Sequence, residues 1–234
     1  MLVSVVIPAY NEEKSIGLTL ESVKGAEKGN FGVELVVLDA SSTDNTGQIA
    51  KQAGARVVRI PKGSIGYARQ QGILNANGEI IVFTDADTTV PKNWLIRHVD
   101  VLERDNVVCT YGGFKFTDGV FPVLQFANYI QPILIFIMDK VFGQHIATGQ
   151  NMAFWKEKAL AIGGFDVNIR VMEDTDLAIR MKKVGKVVYL SDLLIYTSGR
   201  RSHEGWMYFG RAGRSFFDYF FLGKRNLSGF PDIR

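Results

Sequence analysis

The first half of the chain alternates short apolar runs with stretches in which apolar and polar residues recur at helical spacing. The apolar runs predict β-strands at residues 2–7, 34–38, 56–60 and 80–84. The stretches between them predict helices near residues 14–28, 44–52 and 65–76. Apolar strands separated by helices are typical of a mostly parallel sheet that is covered by helices on both faces. The pattern therefore predicts an α/β fold.

The second half follows a less regular pattern. It predicts a helix at residues 92–103, a strand at 107–111, an apolar helix within 121–143, a helix that begins at the acidic run EDTD, two short strands, and an aromatic, basic helix at 203–222. No internal repeat and no low-complexity linker divides the chain. We therefore expect residues 1–234 to form one domain.

Composition and charge narrow the class of protein. Of 234 residues, 47% are hydrophobic and 22% are charged, so the chain can bury a substantial core and is not a disordered protein. The formal net charge of +3 is too small to indicate a nucleic-acid partner, although basic residues outnumber acidic ones after residue 199. The single cysteine, Cys109, lies in an apolar run and excludes disulfides within the chain. The first residues predict a strand rather than a signal peptide, which favours a cytoplasmic protein.

Residues 121–143 are very apolar, but Gln125, Asn128, Gln131 and Asp139 interrupt them at near-helical spacing. A transmembrane helix needs about 20 predominantly apolar residues, so this segment predicts an amphipathic helix instead. The helix at 203–222 carries an apolar stripe beside a basic one. One interpretation is a packing helix with a solvated face. The other is a pair of interfacial helices that hold the protein peripherally on the cytoplasmic face of a membrane.

Polar clusters follow each of the first four predicted strands, in the order PAYNEE, DASSTDNT, KGS and DAD. Because parallel strands bring their carboxyl ends to one edge of a sheet, we expect these clusters to line one crevice. In the last cluster, Asp85 and Asp87 are too early to cap the next helix, and two like charges this close require a cation or a hydrogen-bond donor. Carboxylate oxygens suit Mg²⁺ or Mn²⁺ bound to substrate phosphates. The alternative for this pair is a surface turn.

Two other residues of these clusters have two interpretations each. Asp39 comes too early to cap the following helix, for which Thr43 or Asp44 is better placed, so its carboxylate could accept a hydrogen bond from a nucleobase. Tyr10 could stack on a base at the mouth of the crevice, or lie in an exposed turn. The residues alone leave both questions open.

Five motifs resemble the family 2 inverting glycosyltransferases of the GT-A fold: IPAYNEE, VVLDASSTDNT, ANGEIIVFTDAD, GGFD and EDTDLAIRMKKVGKVVYL, in this order. The chain is also partly similar to the dolichyl- and polyprenyl-phosphate sugar synthases. The resemblance implies a Rossmann-like, mostly parallel central sheet flanked by helices. It further implies a nucleotide-sugar-binding half at residues 1–104 and an acceptor-binding half at residues 105–234. The implied reaction transfers a sugar from a UDP- or GDP-linked donor to a glycan or a lipid phosphate, with Mn²⁺ or Mg²⁺ as cofactor.

The resemblance also implies roles for individual residues on the donor side. Pro8, Tyr10 and Glu12 would line the nucleotide pocket, and Asp39 would contact the base. Many members of the family have a second acid after this aspartate, where this chain has Ala40. Base recognition would then depend on Asp39 alone, so the donor nucleotide stays open.

The remaining implied roles concern the metal and the chemistry. Asp87 would bind the metal, and Asp85 would hold the ribose or help to position the metal. Asp174 would be the base that activates the acceptor, with Glu173 as the weaker candidate. Without the resemblance, acids at a helix start simply complement the helix dipole.

Two arginines late in the chain complete the expected site. Arg200 and Arg201 would bind the donor diphosphate or an acceptor phosphate. A polyprenyl phosphate loses its second proton near about pH 6, so such an acceptor would depend less on a base. Two other functions compete with this one. A sugar-phosphate nucleotidylyltransferase would need a glycine-rich basic loop in place of PAYNEE, and a non-catalytic nucleotide- or glycan-binding module would keep the scaffold without turnover.

Overall fold

The computed structural model describes residues 1–121, 123–200, 206–225 and 227. Its strands are β1 (Leu2–Ala9), β2 (Gly32–Asp39), β3 (Arg56–Arg59), β4 (Ile80–Phe83), β5 (Thr88–Thr89), β6 (Val107–Phe116), β7 (Met152–Trp155) and β8 (Lys186–Thr197). Its helices are α1 (Ile16–Lys24), α2 (Thr46–Gln52), α3 (Ile65–Asn75), α4 (Trp94–Leu102), α5 (Val123–Lys140), α6 (Lys156–Ala161), α7 (Glu173–Met181) and α8 (Trp206–Phe220). The elements predicted for the first half are all present, with ends that differ by a few residues.

The described strands form one sheet of eight, in the order β3-β2-β1-β4-β7-β6-β8-β5. β1 pairs in parallel with β2 and β4, and β2 pairs in parallel with β3, which confirms the parallel arrangement predicted for the first half. β7 runs antiparallel to both of its neighbours, β4 and β6. β8 is parallel to β6 and antiparallel to the short β5. The α/β fold is confirmed, with a central sheet that becomes mixed in its second half.

Both faces of the sheet are buried, which explains why its first strands lack polar alternation. Every residue of β1 after Leu2 is buried, and so is every residue of β4. Alternate residues of each strand contribute to two apolar cores, one containing Leu20 and Trp94, the other containing Ile73 and Phe154. Strands buried on both faces leave room for charged side chains only at their ends. The fold therefore concentrates the chemistry at the edge where β1, β2 and β4 end.

The two short strands predicted after the acidic helix are one strand, β8, with an irregularity in its pairing. The register shifts between Gly112, which pairs with Leu190, and Gly113, which pairs with Leu194. The buried amide of Asn151 stabilises this point by donating from Nδ2 to the backbone oxygen of Gly113 at 2.8 Å. The prediction of two strands was wrong because a bulge interrupts the apolar pattern without ending the pairing.

Helix α5 packs beside β6 and β8, within the segment predicted to be an amphipathic helix. The predicted helix at 203–222 corresponds to α8, and residues 203–205 lie outside the described residues. Within the described chain, no helix combines the length and the apolar content that crossing a membrane requires.

Candidate functional site

Hydrogen bonds join the polar clusters that follow β1 and β2. Ser42 Oγ accepts from the backbone N–H of Asn11 at 3.0 Å, and Thr46 Oγ1 accepts from the backbone N–H of Glu12 at 2.7 Å. Asn11 Oδ1 in turn accepts from the backbone N–H of Thr43 at 2.9 Å. The two loops therefore form one wall at the carboxyl edge of the sheet, as their positions after parallel strands predicted.

The backbone is unusual around this edge. Positive φ angles occur at Asn11 (52°), Ser41 (62°) and Met172 (70°), which lie in the loop after β1, the loop after β2 and the residue before α7. Left-handed backbone at residues other than glycine persists where the surrounding contacts over-determine it, and such residues cluster at ligand sites. These three loops are therefore candidates for a ligand-binding site.

Asp39 is buried at the end of β2, and one of its oxygens is used locally. Oδ1 accepts from the backbone N–H of Ser42 at 2.8 Å, which stabilises the turn after the strand. Oδ2 lies beside Gly47, where a Cβ atom would come within 3.2 Å of it. The carboxylate therefore has a structural role through one oxygen, while small Gly47 leaves space around the other.

Tyr10 and Pro8 occupy different positions at the end of β1. Pro8 is buried within β1, where it pairs with Leu38 of β2 just before the loop that follows β1. Tyr10 is only partly buried, and Lys62 Nζ lies 3.9 Å from the centroid of its ring. This cation–π contact joins the loop after β1 to the KGS cluster after β3. The ring is thus positioned by a partner instead of lying free in a turn.

Asp85 and Asp87 turn towards different arginines. Asp85 Oδ1 accepts from Arg69 Nη2 at 3.2 Å, and Asp87 Oδ2 accepts from Arg200 Nη2 at 2.6 Å. Asp87 Oδ1 also accepts from the hydroxyl of Thr197 at 3.3 Å. The repulsion between the two carboxylates is therefore offset by two guanidinium groups that approach from opposite halves of the chain.

Arg200 bridges two of the acids that were expected to bind a ligand. The same Nη2 atom lies 2.8 Å from Glu12 Oε1 and 2.6 Å from Asp87 Oδ2. Burial alone lowers the pKa of the Arg200 guanidinium, but hydrogen bonds and Coulombic attraction from both carboxylates raise it above its usual range. Arg200 is thus a permanent cation at the predicted metal ligand, and Arg201 lies outside the described residues.

Arg69 on α3 connects the strand-end acids to those of α7, and it was missed by the sequence reasoning. Its guanidinium is buried, with Nη2 on Asp85 and Nη1 paired with Glu173 and 3.8 Å from Asp174 Oδ2. A side chain at Gly149 would collide with this guanidinium, so the loop before β7 needs glycine there. Arginines are usually exposed, and the only signal in the sequence is the small residues that surround this one in IGYARQQG.

Glu173 is the buried member of the acidic pair that begins α7. Burial, followed by the charge of Asp174, raises its pKa to about 8, against the opposing effect of Arg69. Asp174 is more accessible, with 20% of its side chain exposed against 6% for Glu173. Backbone N–H groups of Gly149 and Thr175 donate to its two oxygens at 2.7 Å each. Of the two acids, Asp174 is the one held by neutral donors and open to a ligand.

Three carboxylates surround the single positive charge of Arg69, so the junction of Asp85, Glu173 and Asp174 carries excess negative charge. Such an excess favours a bound cation or a bound proton. Among the described residues, no three acidic, histidine or cysteine side chains are arranged to hold a metal by themselves. A divalent cation here would therefore need oxygen ligands from a bound substrate or water, which is the usual arrangement for Mg²⁺ with phosphates.

Comparison with known proteins identifies the family of the chain. The family model described as glycosyl transferase family 2 matches residues 4–161, about two thirds of the chain and the whole edge from β1 to β7. Among curated relatives, a dolichyl-phosphate hexose transferase of Haloferax volcanii is 33% identical over 99 residues, which is 42% of each chain. A glucosyl-3-phosphoglycerate synthase of Mycobacterium tuberculosis is 30% identical over 175 residues, 62% of this chain and 53% of the relative. The chain spans about half the length of these relatives.

Solved structures show the same fold. A mannosyltransferase from Pyrobaculum calidifontis, in complex with GDP-Man and Mn²⁺, superposes with a TM-score of 0.64 at 22% identity, covering 91% of this chain and 64% of that one. The Mycobacterium tuberculosis glucosyl-3-phosphoglycerate synthase, with Mn²⁺, UDP and its product, gives a TM-score of 0.63 at 21% identity and covers 98% of this chain and 81% of that one. These likenesses show the GT-A fold that the five motifs implied.

Proposed function

Because the chain belongs to glycosyl transferase family 2, we propose that it moves a sugar, with inversion, from a nucleotide-diphosphate donor to a phosphate acceptor carried by a lipid. The observation that carries the proposal is the junction at Arg69, which contacts Asp85 after β4 and both acids at the start of α7. A donor bound at Asp85 and an acceptor bound at Asp174 would meet at this junction.

The donor would bind along the wall formed by the loops after β1 and β2. Tyr10, held by Lys62, offers a ring face for stacking, and Asp39 offers a carboxylate oxygen beside Gly47 for a base N–H. Complexes of the structural neighbours with UDP and with GDP-Man support a nucleotide here and leave both bases as candidates. The nucleotide-binding half of the site would thus lie within residues 1–104.

Asp87 and Asp85 would hold Mn²⁺ or Mg²⁺ together with oxygens of the diphosphate. When bound, such a cation stabilises the charge that develops on the leaving diphosphate. The pair fits this role because carboxylate oxygens suit hard dications. The Mn²⁺ in the neighbouring structures supports the assignment.

On the acceptor side, Asp174 would receive the proton of an acceptor hydroxyl or orient an acceptor that is already ionised. Glu173 would act through Arg69 as a positioning residue, since it is buried beneath the junction. The dolichyl-phosphate hexose transferase among the relatives supports a lipid phosphate as the acceptor. Arg200, and Arg201 beside it in the sequence, would bind phosphate oxygens. Residues 105–234 would then form the acceptor half, at the cytoplasmic face of a membrane.

A thermal-shift titration tests the donor site. The purified protein would be melted with UDP or GDP, each with and without Mn²⁺, since a ligand that binds only the folded state raises its Tm. We expect a metal-dependent rise with one nucleotide, lost in Asp87→Asn and retained in the control Asp192→Asn, whose carboxylate pairs with Arg97 on the surface. If neither nucleotide raises the Tm in the presence of Mn²⁺, the proposed donor site is wrong.

Turnover separates the proposal from its alternatives. With a nucleotide sugar and a polyprenyl phosphate, Asp174→Asn should keep kcat within about tenfold of the parent, because the acceptor is already ionised near neutral pH. If a hydroxyl compound serves as the acceptor instead, the same variant should lose about 10²- to 10⁴-fold with that compound, because it needs a general base. Binding of a nucleotide without turnover of any UDP- or GDP-sugar would instead favour the non-catalytic module, and formation of a nucleotide sugar from a nucleoside triphosphate would favour a nucleotidylyltransferase.

A further inference from the structure

Two polar side chains of helix α5, Asn128 and Asp139, are directed into the protein. Asn128 accepts from the backbone N–H of Phe116 at 2.8 Å and donates to its backbone oxygen at 3.0 Å. Asp139 accepts from the Tyr111 hydroxyl at 2.9 Å and lies 2.8 Å from His145 Nδ1. These partners all belong to β6 or to the loop after the helix, so two of the polar side chains that make α5 amphipathic bind the protein, while Gln125 is exposed.

The outer face of α5 is apolar instead. Eight large hydrophobic residues of this helix and its C-terminal turn are exposed: Phe126, Tyr129, Ile133, Leu134, Phe136, Ile137, Val141 and Phe142. A surface helix of a protein in water shows the opposite arrangement, with polar residues outward. Contiguous exposed apolar surface of this kind marks a contact with another protein or with a membrane.

Helix α8 extends this surface. Its exposed residues include Trp206, Met207 and Phe217, followed by Phe221 and Leu222 just after the helix. The Trp206 ring lies against Phe126 of α5 with a centroid distance of 5.5 Å, so the two apolar faces are adjacent. We call these exposed residues of the two helices and their C-terminal turns the α5–α8 surface.

The exposed charges of the α5–α8 surface are basic, and the acids that pair with them are less exposed. In the described parts of 123–142 and 206–225, every charged residue in the exposed class is basic, namely Lys140, Arg214, Lys224 and Arg225. The two acids of these segments face inward or are half-buried, since Asp139 bonds to Tyr111 and Asp218 to Lys224. An apolar face with Trp and Phe residues and a basic margin is the composition of helices that lie in the membrane interface.

We infer that the α5–α8 surface lies on an anionic lipid bilayer, with the apolar side chains among the acyl chains and the basic residues at the headgroups. A second copy of the chain is a poorer partner, because a symmetric contact would bring these like charges together. The inferred contact is peripheral, with both helices lying along the bilayer surface. The inference rests on the proposed function in one respect only: membrane contact would bring the site to a lipid-linked acceptor.

Vesicle flotation without donor or acceptor tests the inference independently of catalysis. The probes are vesicles of phosphatidylcholine alone and vesicles that contain about 30% phosphatidylglycerol, at low salt. We expect binding to the anionic vesicles to exceed binding to the neutral ones by at least about tenfold, and to weaken as salt is added. The double variant Ile133→Asp/Phe136→Asp should lose at least about tenfold of this binding, because two charges then enter the buried face.

The matched control is Leu18→Asp/Leu74→Asp, which changes two leucines on α1 and α3 that are 64% and 54% exposed, compared with 54% for Ile133 and 46% for Phe136. This control should bind within about twofold of the parent. Blue-shifted fluorescence on vesicle addition, absent in Trp206→Phe, would place α8 at the bilayer. Equal nucleotide-dependent Tm shifts in all variants would show that each is folded.

Three results would overturn the inference. The first is a parent protein that binds neither vesicle, and the second is an equal loss in the control variant. The third is light scattering that shows a dimer converted to a monomer by Ile133→Asp/Phe136→Asp, without vesicle binding, which would make a second copy the partner. A failed vesicle assay beside a successful nucleotide titration would leave the proposed donor site intact.

Discussion

The carboxyl edge of the sheet and the α5–α8 surface place their polar residues in opposite ways. At the edge, the apolar side chains of β1, β2 and β4 are inside and the acids lie where the strands end. On α5, the polar side chains of Asn128 and Asp139 are directed inward and the apolar side chains face outward. The first arrangement suits a site that receives a charged, water-soluble ligand. The second suits a surface whose environment is not water.

The comparison teaches that amphipathic spacing identifies two faces of a helix but not which face is outside. The polar residues of 121–143 recur at helical spacing, and that prediction is confirmed by α5. Asn128 bonds to Phe116 of β6 and Asp139 bonds to His145, so these two polar side chains face the protein and not water. This orientation of α5 is one of the observations from which we infer the membrane contact.

Removing the cation at the Arg69 junction should have the largest effect and would test how far the carboxyl edge depends on buried charge. Arg69→Met leaves three carboxylates without their partner, and breaking a buried ion pair from one side costs about 3 to 5 kcal/mol of stability. Chemical denaturation should show this loss, with partial recovery in Arg69→Met/Glu173→Gln. In the control Arg97→Met, loss of the exposed pair with Asp192 should cost less than about 1 kcal/mol of stability. A parent-like free energy of unfolding for Arg69→Met would contradict the buried junction.

Acid should lower stability through His98, a buried residue of α4 that belongs to neither region. Its Nε2 lies 3.0 Å from Asn151 Oδ1 and its Nδ1 lies 2.8 Å from the Thr110 hydroxyl. Burial is the main reason that its pKa falls from 6.5 to about 4. The unfolded chain therefore takes up a proton first as the pH falls, and stability should drop between pH 6.5 and 4.

The difference in pKa corresponds to about 3 kcal/mol over this range. Urea denaturation across the range measures the drop in the free energy of unfolding. His98→Gln should remove the part of the drop that is due to His98, while the parts due to other titrating groups remain. An unchanged pH slope in that variant would show that His98 does not contribute.

Arg200 offers a test of whether the protein's own cation competes with a metal at the edge. Arg200→Gln frees Glu12 and Asp87 from a guanidinium, so Mn²⁺ should bind the nucleotide-free protein about tenfold more tightly, or about 1.4 kcal/mol. The same variant should bind the nucleoside diphosphate more weakly, because one phosphate ligand is lost. Calorimetric titration of Mn²⁺ and of UDP or GDP measures both, with Arg97→Gln as the control. Weaker Mn²⁺ binding in Arg200→Gln would show that the arginine supports the metal instead.

The last comparison concerns two polar residues of α5, of which Gln131 should show the smallest effect. Asn128→Leu leaves the backbone groups of Phe116 without their partner and should cost about 1 to 3 kcal/mol. Gln131→Leu should be neutral or stabilising by up to about 1 kcal/mol, because the buried Oε1 of Gln131 has no hydrogen-bond partner among the described residues. Thermal denaturation of the two variants compares them directly. Equal losses would mean that Gln131 has a buried partner after all.

Much of the carboxyl edge could be predicted from the sequence because its signals are local. Apolar runs bounded by turn residues indicated β1, β2 and β4, and parallel pairing then required that their C-terminal clusters meet. The motifs added the roles of Asp39, Asp87 and Asp174, and these roles remain proposals that the experiments above test. The division into halves at residues 104 and 105 also stays a prediction.

The sequence by itself determined the alternation of strands and helices, the positions of the polar clusters and the family, because each is encoded in residues close together in the chain. The tertiary structure decided which cations meet those clusters. Arg69 reaches Glu173 across 104 residues, and Arg200 reaches Glu12 across 188. It also decided that Asn128 and Asp139 of α5 face inward, since that depends on partners in β6 and the loop after the helix. Contacts between distant segments depend on how the elements pack, and no local spacing records them.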